Sequence, residues 1–150
     1  MFLQIALGTA VILVTVAVGG AAYWALETLL ARHAAWLHRE PHGPRQMLVL
    51  CLSVIWTLAL MTVCVWLWAL VLRGLGVFAH LEESVYFSLV AFTTLGFGDV
   101  LLPRAWRLLG GMAAANGLLN FGLMTAMLVE VMRSLRTSQQ ETRRRRSGQP

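Results

Sequence analysis

Thr93-Thr94-Leu95-Gly96-Phe97-Gly98-Asp99 stands in the last third of the chain, between two long apolar segments. Its glycines, hydroxyls and acid do not suit a helix continuing through hydrocarbon. Gly96 and Gly98 can take backbone angles that a residue with a Cβ rarely tolerates, so successive carbonyls can face one side. A row of such oxygens can replace the water around a dehydrating cation, with the Thr94 hydroxyl adding an oxygen at one end. Phe97 is expected to point away from that row and brace the loop against its surroundings.

The flanks give this loop its place. Leu81 to Phe92 is a helical candidate of about three turns, too short for a hydrocarbon core of ~30 Å. It opens on Glu82 and Glu83, which suit the positive end of a helix dipole. Its other end would aim a negative dipole into the membrane, where a cation could sit. Irregular backbone at that depth is tolerated only where protein buries it or it lines a wet cavity. A short helix, a polar loop and then a spanning helix therefore form a re-entrant unit.

Composition agrees. The chain has 150 residues, 58% hydrophobic and only 13% charged, a balance that excludes an ordinary soluble domain and fits a small polytopic membrane protein. The net charge of +5 comes from arginine, with no lysine in the chain. The arginines flank apolar runs and form no groove interleaved with stacking aromatics, so no nucleic-acid partner is expected. No metal-ligand pair and no nucleophile beside a base is apparent. Neither enzyme chemistry nor a cofactor is expected. Cys51 and Cys64 are 13 residues apart. On one helix that is about 20 Å, too far for a disulfide, and both read as free thiols.

In chain order, residues 1–30 form an apolar run expected to stay as an N-terminal spanning helix, although Gly19-Gly20-Ala21-Ala22 could mimic a cleavage site. Glu27 can reach the interface or pair with Arg32. Residues 31–46 form a linker whose His33, His38 and His42 fit no metal spacing and read as a solvated loop broken by Pro41 and Pro44. Residues 47–72 form the second run. Trp66 and Trp68 lie near its far end, where indoles favour the interface, and Trp56 is mid-span and reads as packing. Residues 74–80 lead to the short helix. Residues 104–133 form the third run, narrow in its first half through Gly110, Gly111, Ala113, Ala114, Ala115 and Gly117. Its period puts Ala114, Leu118, Phe121, Gly122, Thr125 and Val129 on one face, as a water-filled cavity wall would need. Asn116 and Asn120 fall on the opposite face and read as hydrogen-bonding glue to a neighbouring helix. Residues 134–150 are a basic tail ending in Arg143 to Arg146, read as a solvated segment that fixes topology, with anionic lipid headgroups as a further partner.

Arginine counts set the orientation. The first linker, the tail and Arg133 just before it hold nine, against Arg73, Arg104 and Arg107 on the other side. The linker and C-terminus are then cytoplasmic, and the N-terminus and loop mouth face outward.

From Ser84 to about Arg133 the chain resembles the pore-loop potassium channel family, of the small bacterial two-helix type. With residues 47–72 as the outer helix, the similarity in organisation covers about 47–133. It implies an all-α membrane protein with a pore helix at 81–92, a selectivity filter at 93–99 and an inner helix at 104–133. An additional N-terminal helix precedes this unit, without a voltage-sensing arginine ladder. The resemblance implies K⁺ coordination by carbonyls of Thr94, Leu95, Gly96 and Phe97, with Gly98 completing the filter. Asp99, Glu82 and Glu83 would gather cations at the outer mouth. It implies a gating hinge at Gly117, a cavity and gate at Leu118, Phe121, Gly122, Thr125 and Val129, a homotetramer, and location in a bacterial inner membrane. K⁺ is then the permeant ion. A nonselective monovalent cation channel would share these features except filter rigidity. Two departures stand out. Phe97 replaces the usual tyrosine, which removes a phenolic strut. Val90 replaces an acid present in some members, which leaves Asp99 without that partner.

Overall fold

The computed structural model describes the backbone of residues 1–32 and 42–147, and the side chains of residues 1–29, 32 and 47–133. His33 and His38 of the linker lie outside the described residues, as do the side chains of His42 and of Arg143 to Arg146. Among the described residues four α-helices follow in order, α1 (Phe2–Arg32), α2 (His42–Gly74), α3 (Leu81–Phe92) and α4 (Arg107–Ser147), with a 3₁₀ turn at Arg104–Trp106 leading into α4. No strand occurs among the described residues. The all-helical expectation holds. Among the described residues three stretches are long and apolar enough to cross a membrane: Phe2–Leu29, Met47–Gly74 and Arg104–Arg133, with mean hydropathies of 2.2, 2.5 and 1.5. By contrast, α3 has 12 residues, about 18 Å of helix, and cannot cross.

Two helix ends share one solution to the same problem. A helix leaves its last carbonyls without partners, and a residue with left-handed backbone lets the chain fold back to satisfy them. At the end of α2, Gly76 sits at φ 67°, the Gly76 N–H donates to the Arg73 carbonyl at 3.0 Å and the Val77 N–H to that of Leu72 at 3.1 Å. At the end of α3, Thr94 sits at φ 60°, its N–H donates to the Ala91 carbonyl at 2.9 Å and the Leu95 N–H to that of Val90 at 3.0 Å. Glycine is the usual occupant of this position, and a β-branched threonine there is strained.

The core lies where α2, α3 and the first half of α4 meet. Cys64, Trp68 and Leu72 of α2, Phe92 of α3, and Leu109 and Ala113 of α4 are all buried there. Trp68 corrects an expectation: it lies in this core rather than at an interface, because α3 folds back over that end of α2. Trp66 is exposed, as an interfacial indole would be, and Trp56 packs against a second, smaller cluster of Leu26, Val49, Met127 and Val131. Both cysteines are free, Cys64 buried and Cys51 exposed.

The first helix packs on α4 in the same direction. The Gln4 side chain donates to the Ala105 carbonyl, Gly8 lies against Leu109 and Met112, Thr15 meets Asn116, and Gly19 lies near Asn120. Both helices therefore start at the same end of the bundle as the loop 93–99. Asn116 is the interhelical glue expected of it, whereas the Asn120 amide bonds within α4 and supports Asn116. The Thr15 hydroxyl donates to Asn116 Oδ1 at 3.0 Å, and Asn120 Nδ2 donates to Asn116 Oδ1 at 2.7 Å and to the Asn116 carbonyl at 2.9 Å. Past Arg133 the backbone stays helical to Ser147, so the basic tail continues α4. Arginine, glutamine and glutamate are good helix formers, and neither glycine nor proline interrupts them before Gly148.

Candidate ion pathway

The site begins at the C-terminus of α3. Thr93 closes that helix with its hydroxyl, which reaches the Leu89 carbonyl at 2.7 Å, and the chain then turns at Thr94 into the loop. Backbone φ is positive at Thr94 (60°), Gly96 (59°) and Gly98 (79°), and at neither Leu95 nor Phe97. The hand of the backbone thus changes at every residue. Alternation of this kind is one way for a backbone to present successive peptide units to one side, which a regular strand or helix cannot do. The two glycines take the left-handed backbone that the sequence suggested. That Thr94 shares their conformation was not legible, because threonine seldom adopts it.

All of 94–99 is exposed on the single chain. Leu95 is 60% and Phe97 67% exposed, so Phe97 does not brace the loop against its own chain. The brace comes from elsewhere. Tyr86, two turns before the end of α3, donates its phenolic hydroxyl to Asp99 Oδ2 at 2.6 Å. Phe97 still carries no hydroxyl and Val90 no acid, and the partner of Asp99 is instead a phenol one element earlier, which the sequence reading did not assign. The sequence signal was a lone phenol on the short helix, 13 residues before the acid. The bond from Tyr86 holds the Asp99 carboxyl below the usual carboxylate range; slight desolvation opposes it, and the N–H groups of Asp99 and Val100 assist. The same bond, then burial and then the nearby carboxylate, push the Tyr86 phenol upward. Glu82 and Glu83 are exposed in the first turn of α3.

Behind the loop, α4 supports the end of α3. Gly117 is buried against Phe92, and a Cβ there would lie 2.6 Å from the Phe92 carbonyl carbon and closer still to its oxygen. The absence of a side chain lets the two backbones touch. Gly110 admits Leu102 and Phe87 in the same way. The Phe92 and Phe121 rings stand 6.1 Å apart, centroid to centroid. Leu118, Phe121, Gly122, Thr125 and Val129 are exposed along one face of α4. Gly117 is not on that face: it belongs to the packed side, which the shared helix alone did not reveal.

Compared with known proteins, no curated protein and no solved structure matches the chain. A family model described as "Ion channel" matches residues 48–134, a span that takes in α2, α3, the loop and the apolar part of α4, and leaves α1 outside. The match covers more than half of the chain, and the chain belongs to this ion-channel family, of the two-helix potassium-channel type, with an extra apolar helix at its N-terminus.

Proposed function

We propose that four copies of the chain form a K⁺-selective pore, in which the carbonyls of Thr94, Leu95, Gly96 and Phe97 replace the hydration shell of the ion, with Gly98 completing the filter. The observation that carries this is the alternation of positive φ at Thr94, Gly96 and Gly98. One loop supplies one side of a coordination shell, and closure around an axis needs several identical loops. Apolar side chains exposed on one chain, Leu95 and Phe97 in the loop and Leu118 and Val129 on α4, are groups that neighbouring copies would cover or that would line a cavity. Asp99, Glu82 and Glu83 raise the local cation concentration at the mouth. Passive flow down the electrochemical gradient follows, with no cofactor.

Gly117 in this scheme is a contact between α4 and the end of α3, so movement of α4 is transmitted to the filter as well as to the crossing near Val129. Arginine bias supports an outward-facing filter and a cytoplasmic C-terminus in a cell membrane, of the bacterial inner kind. The test is purified protein in liposomes with opposed K⁺ and Na⁺ gradients. A reversal potential near that of K⁺ with block by barium is expected. A reversal potential near zero would instead indicate a nonselective cation pore.

A further inference from the structure

A cavity of about 450 Å³ lies between α1, α2 and α4, lined by Gly20 and Tyr23 of α1, Leu60 of α2, and Asn120, Met127 and Glu130 of α4 among others. By helical spacing it is on the side of α4 opposite Leu118, Thr125 and Val129, behind the proposed pore rather than in it. The additional first helix supplies one wall, so a two-helix pore has no equivalent.

The cavity is mostly apolar, with few polar groups, and these have one character. Asn120 is 1% exposed and uses its amide N–H groups on Asn116, which leaves Oδ1 to accept; a Cβ on Gly19 would lie 3.7 Å from that oxygen. Glu130 provides a carboxylate at the other end, ten residues along α4, about 15 Å away. Tyr23 can donate or accept. Glu27, one turn past Tyr23 on the parallel helix, adds a second carboxylate toward the same end, and Arg32 and Arg133 lie farther out. A ligand for this space must be apolar along its length, offer a hydrogen-bond donor at the inner end and carry a positive charge at the outer end.

We propose that the cavity binds a free, elongated amphiphile with a hydroxyl at one end and a protonated primary amine at the other, the hydroxyl donating to Asn120 Oδ1 and the ammonium pairing with Glu130. The proposal goes beyond ion conduction and does not depend on which cation the pore passes.

The test uses the full chain in phosphatidylcholine vesicles and a dodecylamine probe with a photoreactive diazirine in mid-chain, adducts being mapped by mass spectrometry. Label is expected on Val16 to Tyr23 and on Leu123 to Glu130. 12-Aminododecan-1-ol should compete best, dodecylamine roughly tenfold less well, and dodecanoate not at all. Glu130→Gln should weaken labelling roughly tenfold. A Cβ on Gly20 meets nothing within 4 Å, so Gly20→Leu should be accommodated by the backbone, obstruct the cavity midway along its length and abolish the label. Label confined to the Leu118–Val129 face, persistence of label in Gly20→Leu, or competition by dodecanoate as strong as that by dodecylamine would overturn the proposal.

Discussion

Tyr86 and Asp99 are joined by a 2.6 Å hydrogen bond that ties the loop's last residue to the short helix before it. The bond closes a ring of chain running through the end of α3, the Thr94 turn and both glycines. Without it the loop would be held at one end, where Thr93 to Leu95 cap the helix. Tyr86→Phe removes the donor and little else, since Tyr86 is exposed. We expect lower K⁺ preference over Na⁺ and faster decay of current, read as reversal potentials and single-channel records in liposomes. Unchanged selectivity would show that the bond does not hold the filter.

The same pair sets a pH window. Asp99 has a folded-state pKa below its unfolded one, so its contribution is present above the ordinary carboxylate range and lost as pH falls through the depressed value. Tyr86 is shifted upward, so its contribution is present below the ordinary phenol range and lost as pH rises through the raised value. Filter behaviour should therefore be constant between about pH 5 and pH 9. In Tyr86→Phe the leading cause of the Asp99 depression is gone, and the acid limb of conductance against external pH should move to higher pH.

Gly117→Ala places a methyl group on the Phe92 backbone, where nothing can rotate away. Overpacking of this kind costs about 1–3 kcal/mol, and more where backbone must move. Gly122→Ala is the control, since a Cβ there meets open space on the single chain. Thermal unfolding of solubilised protein should show a clear loss of stability for Gly117→Ala and little change for Gly122→Ala. Equal stability of the two would remove the contact role assigned to Gly117.

Gly96→Ala tests the loop by conformation rather than by space. A Cβ at Gly96 touches nothing within 4 Å, yet φ is 59°, where an L side chain costs roughly 1–2 kcal/mol. The protein should fold and insert normally while flux falls sharply. Normal flux would show that this backbone angle is not needed for conduction.

Thr15→Val breaks the link between α1 and α4. Asn116 loses the hydroxyl that reaches its Oδ1, while Asn120 still donates to it. Interhelical bonds in membranes average about 0.6 kcal/mol, so a small loss of thermal stability is expected, with K⁺ preference unaffected. A change in selectivity would connect the first helix to the filter.

Local chemistry settled much of this protein in advance. Runs of 28 to 30 apolar residues can only be buried or span, and a glycine-rich polar loop between a short and a long helix has few places to go. These are properties of neighbouring residues, so the helices, the loop and the side of α4 that carries the asparagines follow from the order of side chains alone. Tertiary structure decided what depends on distant parts of the chain meeting. Trp68 is core because α3 folds back over it, and Gly117 faces Phe92 rather than the exposed stripe beside it. Asp99 is held by Tyr86 because a capped turn at Thr94 reverses the chain by the needed amount. The cavity at Gly20 and Glu130 exists because α1 runs parallel to α4, a choice that hydropathy does not encode. Periodicity defines which face a residue shares; only packing determines what that face meets.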